Sequence, residues 1–317
     1  MSVTIPPFPR RKFLSGSLAI AGSSLLGQRL AAVDVDERAP LAADRVALLS
    51  DPHITSDPTS IIYGTKWPGS PVKPGQHEGV NAADCLAQAV REVLNQEPRP
   101  AHVVVNGDCA HTTGLSEEYV EFLRLIAPLR AAGITVHVTI GNHDNRERLW
   151  ASIPDLKTAH ADRHVGVVAL PKVDIVLLDS EQGSINEAQF AWLEQHLQDH
   201  VAKPVIVFGH YNPRPHTDGR PIDGFNGNDG RRLLSLLSSH KQVKALFYGH
   251  THHWSVDRMD ELHLINLPSV GPIFAIGTPY GWVDMQLTGT GAALKLQCIN
   301  QRHADHAQRL ALHWQKG

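Results

Sequence analysis

Apolar residues in this chain gather into short runs, each stopped by glycine or a small polar residue. Six runs read as buried strands: VALLS (46–50), HVVV (102–105), ITVHVTI (134–140), VDIVLL (173–178), PVIVF (204–208) and VKALFY (243–248). Near-continuous runs of this length predict strands covered on both faces. Between them the apolar spacing changes to three and four. Val80, Ala83, Leu86, Ala87, Val90 and Leu94 fall on one helical face. Ser116 is placed to cap a second helix, with Glu117 and Glu118 in its first turn and Gly133 at its end. Asn186 starts a third helix carrying Phe190, Leu193 and Leu197, and Asp229 a fourth carrying Leu233, Leu234 and Leu237. Residues 254–299 are strand-rich, with HLINL, GWVDMQL and AALKLQCI. Strand–helix alternation followed by strands predicts a layered α/β fold without internal repeats. The Pro/Gly-rich stretches 56–79 and 211–228 read as long loops, a class that often carries function.

Composition narrows the partners. With 317 residues, 42% of them hydrophobic, the chain can bury a sizeable core. Its net charge is −3, and it has neither a Lys/Arg block nor an acidic tail, so no nucleic-acid surface is expected. An anionic substrate must then be held by local groups. Cys85, Cys109 and Cys298 form no disulfide framework and no CxxC metal knuckle, leaving room for one bridge at most. Cys109 reads as a packing residue.

The first 32 residues stand apart. Arg10-Arg11, then Phe13 and Leu14, precede a mild Gly/Ser/Ala/Leu stretch ending near Leu26. That stretch is short of the roughly 20 apolar residues a bilayer span needs. It resembles a twin-arginine export signal, with Pro9 where Ser or Thr is usual and Ser15 where Lys is common. The expectation is therefore an export signal over 1–32, a linker over 33–43 and one ordered domain over 44–317 with no transmembrane segment. The implied partner is the twin-arginine export machinery, and the implied destination is the periplasm or beyond.

Five strand ends share one chemistry. VALLS leads to Asp51-Pro52-His53, HVVV to Asn106-Gly107-Asp108, and ITVHVTI to Gly141-Asn142-His143-Asp144. PVIVF leads to Gly209-His210, and VKALFY to Gly249-His250-Thr251-His252. In open α/β sheets ligands bind beyond the carboxyl ends of strands. Carboxylate, amide oxygen and imidazole together suit Zn, Fe, Mn or Co. Seven such donors exceed what one tetrahedral ion needs, and a bridging carboxylate would let them serve two. An extended segment would turn His250 and His252 to the same side and His253 to the other.

The ordered set D-x-H, G-D, G-N-H-D, G-H and G-H-T-H resembles the calcineurin-like metallophosphoesterases, which include purple acid phosphatases and class III cyclic-nucleotide phosphodiesterases. The resemblance runs over about residues 44–270. It implies a four-layer α/β/β/α sandwich of two mixed sheets, with a metal site at the carboxyl ends of the strands. It implies that Asp51, His53 and His252 hold one metal, that Asn142, His210 and His250 hold a second, and that Asp108 bridges them. His143 would protonate the leaving group and Asp144 would orient His143. The implied function is hydrolysis of small phosphate esters, diesters ahead of monoesters, by a metal-activated water attacking phosphorus in line. A non-catalytic, metal-dependent binding scaffold of the same fold is the alternative.

Two more residues are candidates for substrate contact. Arg146 has the fork that binds a phosphate oxygen pair, though a solvated charge on the next helix fits equally. His111 stands where the purple acid phosphatases place a metal-bound tyrosine in G-D-x-x-Y, which argues against a tyrosinate site and for diesters. Tyr63 and Trp67 in the first long loop are candidates to cover the site. No G-x-S-x-G, H-E-x-x-H or G-x-x-x-x-G-K-[ST] motif occurs.

Overall fold

The computed structural model of the chain describes residues 40–62, 79–154, 163–214, 224–226, 228–272, 274 and 277–314. The expected export signal, Tyr63, Trp67 and much of both long loops lie outside the described residues. Among those described, no helix is long and apolar enough to cross a membrane.

The elements follow in chain order. They are β1 (Leu41–Leu49), α1 (Ala82–Leu94), β2 (Arg99–Asn106), α2 (Ser116–Ala131), β3 (Thr135–Thr139) and α3 (Arg146–Ser152). Then come β4 (Gly166–Ala169), β5 (Asp174–Leu177), α4 (Glu187–Asp199), β6 (Val205–Phe208), α5 (Asp229–Ser239) and β7 (Val243–Tyr248). Five strands close the chain: β8 (Ser255–Met259), β9 (Leu262–Asn266), β10 (Gly281–Leu287), β11 (Gly291–Cys298) and β12 (Arg309–His313). They form two mixed six-stranded sheets, ordered β12-β11-β10-β1-β2-β3 and β4-β5-β6-β7-β9-β8.

Strand alternation builds four layers from two sheets. Along β1, Val46 and Leu48 enter the core between the sheets, while Ala47 and Leu49 pack with α1 and α2. Along β7, Ala245 and Phe247 enter the same central core, while Leu246 and Tyr248 pack with α4 and α5. Both faces of the central strands are therefore apolar, which is why they read as unbroken runs. The parallel pairs β1–β2, β2–β3, β5–β6 and β6–β7 carry the site-bearing strand ends to one edge of each sheet.

Local signals fixed several boundaries. The Asn81 side chain caps α1 by accepting from the Asp84 amide at 2.9 Å, and Asn186 caps α4 by accepting from Gln189 at 2.9 Å. Gly133, at φ +80°, ends α2: its amide reaches Arg130 carbonyl at 3.1 Å and Ile134 amide reaches Leu129 carbonyl at 3.0 Å. Three expectations are corrected. Ser116 is the first helical residue of α2 and not its cap; Glu118 does that work, its carboxylate accepting from the Leu115 amide at 2.9 Å and the Thr112 amide at 3.0 Å. β1 starts at Leu41, inside the segment read as linker, because its first residues are half-exposed and carry little apolar signal. All three cysteines are buried and free, so the possible bridge does not form. Cys109 is fully buried.

Phe208 and Phe247 stack at 4.9 Å between the sheets, and both are 0% exposed. Phe247→Ala should lower unfolding stability by about 3–5 kcal/mol, a large-to-small core change. Urea denaturation followed by circular dichroism measures it; a loss under 1 kcal/mol would mean that the two sheets repack freely.

Candidate metal centre

Each expected metal-binding residue lies just past the end of a strand. Asp51 and His53 follow β1, Asp108 follows β2, Asn142 follows β3, His210 follows β6, and His250 and His252 follow β7. Asp51, His53, Asp108, His250 and His252 all have left-handed backbones, with φ between +48° and +67°. Such angles are uncommon for residues with a Cβ, and each costs about 1–3 kcal/mol unless the surroundings impose it. This corrects one expectation: residues 250–252 are not extended. His250 and His252 converge through two left-handed turns, while His253 is exposed.

Glycines seat the carboxylates. A Cβ on Gly141 would stand 2.1 Å from Asp108 Oδ1, and one on Gly249 would stand 2.5 Å from Asp51 Oδ2. Only a bare backbone lets the strand end pass behind each carboxylate. The carboxylates are then tied by main-chain donors: His250 amide to Asp51 Oδ1 at 3.0 Å, and His143 amide to Asp108 Oδ1 at 2.8 Å.

The imidazoles are aimed by carbonyls. His210 donates Nδ1–H to Asn106 carbonyl at 3.0 Å, and His252 donates Nδ1–H to Pro272 carbonyl at 2.7 Å. In each neutral ring the Nε2 lone pair therefore faces inward. His210 Nε2 lies 3.3 Å from Asp108 Oδ2 and 3.2 Å from Asn142 Oδ1, and His252 Nε2 lies 3.4 Å from Asp51 Oδ1. His53 Nε2 lies 3.4 Å from Asp108 Oδ2 and 3.0 Å from His252 Nε2. Lone pairs opposed at these distances repel unless a cation lies among them, so the donor set fits metal ions. A proton is the alternative cation. Burial alone would lower His210, but Asp108 and Asp51 push it up to about 10. His250 falls to about 4, through burial first and the neighbouring His210 second.

Three groups of donor atoms could hold a metal, each with its atoms within 4.8 Å of one another: Asp51, His53 and His252; Asp108, His210 and His250; and His53, Asp108 and His143. His53 is shared by the first and third groups and Asp108 by the second and third, and the third brings in His143, for which no metal was expected. Asn142, an exposed residue, adds an oxygen beside His210.

The other candidates need correction. Asp144 does not orient His143. Its oxygens accept from the amides of Gly141 (3.0 Å), Ala110 (3.1 Å) and Cys109 (3.3 Å) and from the Tyr119 hydroxyl (3.2 Å). It ties the loop after β2 to the loop after β3. Burial first, then the Asp108 charge, push its carboxyl up to about 7. His143 instead donates Nδ1–H to the carbonyl of His111 at 2.5 Å. The His111 ring stands 5.9 Å from His53 and 6.3 Å from His143, and its Nδ1 is buried with no hydrogen-bond partner. Arg146 is committed elsewhere: Nε donates to Asp179 at 2.5 Å, and its terminal nitrogen lies 2.8 Å from Glu181.

Several positioning residues carried no readable signal. Ser180 Oγ accepts from the His210 amide at 3.0 Å, and Phe274 stacks on the His252 ring at 4.1 Å. Asn106 does more than precede Gly107: its side chain donates to Gly209 carbonyl at 3.2 Å and accepts from Thr139 at 3.0 Å, locking β2 to β3 and to the end of β6.

The family model described as calcineurin-like phosphoesterase matches residues 44–254. A glycerophosphodiester phosphodiesterase of Enterobacter lignolyticus is 28% identical over 198 residues, 60% of this chain and 69% of that protein. A probable cyclic nucleotide phosphodiesterase of Rhodopseudomonas palustris is 29% identical over 182 residues, 55% of this chain and 65% of that protein. The match thus spans about two thirds of each relative's length. A solved dimetal phosphatase from Danio rerio superposes with a TM-score of 0.61 at 18% identity, over 86% of this chain and 99% of that one. That likeness speaks for the fold.

The Arg146 pair generates a prediction. Burial alone would raise the Asp179 carboxyl, but Arg146 holds it below its ordinary 3.8. A carboxyl depressed on folding stabilises above its unfolded value and loses that contribution as pH falls through the folded one. Arg146→Met should therefore cost about 3–5 kcal/mol at neutral pH, by leaving a buried charge unpaired. The gap to wild type should narrow as the solution is acidified. Urea melts across pH and phosphate titrations measure both. Unchanged stability with weakened phosphate binding would restore Arg146 as the phosphate clamp.

Proposed function

The chain belongs to the calcineurin-like phosphoesterase family, and from that premise we propose that it is a binuclear metal-dependent hydrolase of small phosphate esters, with diesters preferred over monoesters. The observation that carries this reading is the position of Asp108. Its carboxylate is common to a group with His53 and His143 and to a group with His210 and His250, while His53 also belongs to the group with Asp51 and His252, and Asn142 borders His210. One ion would be held by Asp51, His53, Asp108 and His252, the other by Asp108, Asn142, His210 and His250. Oxygen and imidazole donors in this mixture suit Fe, Mn, Zn or Co. Such a pair supplies Lewis acidity, lowering the pKa of a water and balancing the phosphate charge.

The chain's own residues do the rest. The amide of His143 holds Asp108, and its Nδ1–H is held by the His111 carbonyl, so ring and carboxylate are fixed relative to one another. With Nδ1 committed, Nε2 of His143 is the atom free to give a proton to the leaving oxygen. His111 serves this residue through its carbonyl, and its half-buried imidazole is offered to the substrate beside His53. Diester preference is supported by the two phosphodiesterase relatives and by histidine at position 111.

Two tests follow. Folded protein reconstituted with Mn, Zn, Fe or Co should bind two ions per chain by elemental analysis, and Asp108→Ala should weaken both; saturation at one ion would sink the binuclear reading. His143→Ala should keep both ions and lose roughly 10²–10⁴-fold in kcat on esters with alkoxide-like leaving groups. Nitrophenyl esters need less protonation and should lose less. Loss of metal would make His143 a ligand, and an even loss across leaving groups would remove its acid role. Wild type that carries two ions and turns over no mono- or diester in a broad panel would move the site to the binding-scaffold reading.

A further inference from the structure

Tyr211 follows His210 directly, and its ring packs against both imidazoles of the second metal group. It lies 4.5 Å from the His250 ring at an interplanar angle of 41°, and 5.3 Å from His210 edge-on. Phe225 closes a further side at 5.8 Å. The residue is only 8% exposed, and its body belongs to the apolar cluster of α4 and α5. Three ring contacts of this kind leave the phenol little freedom to turn.

A buried tyrosine usually spends its O–H on a partner. Tyr119 does so, bonding Asp144. Among the described residues, the contacts that hold Tyr211 are made by its ring. The ring contacts with His250 and His210 place the phenol beside the second metal group. The nearby carboxylates have other partners: Asp108 takes the His143 amide and Glu181 takes Arg146. A phenol is a neutral donor at physiological pH. An acceptor that arrives from solvent and carries negative charge would suit this hydroxyl.

We propose that Tyr211 is a substrate-binding residue whose hydroxyl donates to a non-bridging phosphoryl oxygen at the Asp108–His210–His250 side of the site. This rests on the phosphoester reading above for its ligand. It differs from a packing role, which would need only the ring. It also assigns the segment after β6 two tasks: His210 for an ion and Tyr211 for the phosphate that lies against it.

The test uses Tyr211→Phe and Tyr211→Leu in full-length, metal-reconstituted protein. Elemental analysis, inorganic phosphate titration by calorimetry, and hydrolysis of bis(p-nitrophenyl) phosphate are read together. A hydrogen bond to a charged group is worth roughly 10- to 100-fold. Tyr211→Phe should keep two ions and the wild-type melting temperature. Its phosphate Kd should rise about 10-fold or more, with a matching fall in kcat/KM. Tyr211→Leu should add a loss of stability, because it also strips the His250 contact. A Tyr211→Phe protein with wild-type phosphate affinity overturns the proposal and leaves the ring as packing. Loss of an ion in Tyr211→Phe overturns it too, by making the oxygen a metal ligand. Wild type that binds phosphate yet hydrolyses no ester would sink the catalytic reading alone; the phosphate Kd would still decide the role of Tyr211.

Discussion

Two carboxylates, Asp51 and Asp108, are buried at 0% and 1% exposure inside one cage of imidazoles. Isolated buried charges of like sign are among the costliest arrangements a protein can hold. Here they are tolerated because positive charge is owed to them from several sides. Backbone amides from His250 and His143 point at their oxygens, and the Nε2 atoms of His53, His210 and His252 crowd around them. Neutral imidazoles cannot complete the balance, since two of them present lone pairs. A cation must, and that requirement explains why the surrounding residues are held so rigidly.

The rigidity is built into the backbone before any ion is considered. Five of the donors take left-handed φ values that cost energy locally. What enforces them is the core between the sheets, where Val46, Leu48, Phe208 and Phe247 anchor the strands that end in these turns. Further contacts stitch the loops together beyond the strands. Asn106 reaches Gly209, the Asp51 amide reaches the Gly107 carbonyl at 3.2 Å, and Ser269 Oγ reaches the Asp51 carbonyl at 2.8 Å. Each loop is therefore positioned by its neighbours. This is the pattern expected where a fold spends stability to preorganise a site.

The central strands were legible because both of their faces are apolar, and the donors were legible because each sits at a fixed offset from a strand end. Strands β4, β8 and β12 escaped notice for the opposite reason. They are edge strands, four or five residues long; β8 and β12 carry mostly half-exposed or exposed positions, and β4 is a short apolar segment that opens on Gly166. Side-chain partners were less legible still. Asp144 meets the amides of Cys109 and Ala110, and Arg146 meets Asp179 and Glu181, across separations of about 35 residues that periodicity cannot bridge. His250 and His252 show a subtler failure. Their convergence was read from strand alternation, yet it arises from two left-handed residues. Histidine is a poor sequence marker for that conformation, so the direction was recoverable and the cause was not.

Exposure divides the site along the path a substrate must take. Asp51, His53, Asp108, His210 and His252 are all buried, and they are the residues whose charge and lone pairs call for cations. Asn142, His143, His111 and His250 are half-buried or exposed. Carbonyls and glycines fix the geometry of Asp51, Asp108, His210 and His252, while His53 Nδ1 is buried without a partner among the described residues. The outer set has spare capacity: Nε2 of His143 is left over once Nδ1 is held by the His111 carbonyl. On the proposed reading, the outer residues would meet an incoming anion while the buried ones hold cations. The phosphate's charge would thus be met from below by cations held in the buried carboxylate cage and from above by the donors proposed on His143 and Tyr211. On the proposed reading, that division would let the residues of the buried cage remain indifferent to which ester arrives, and would leave discrimination between esters to His111, His143 and Tyr211 and to the loops around them.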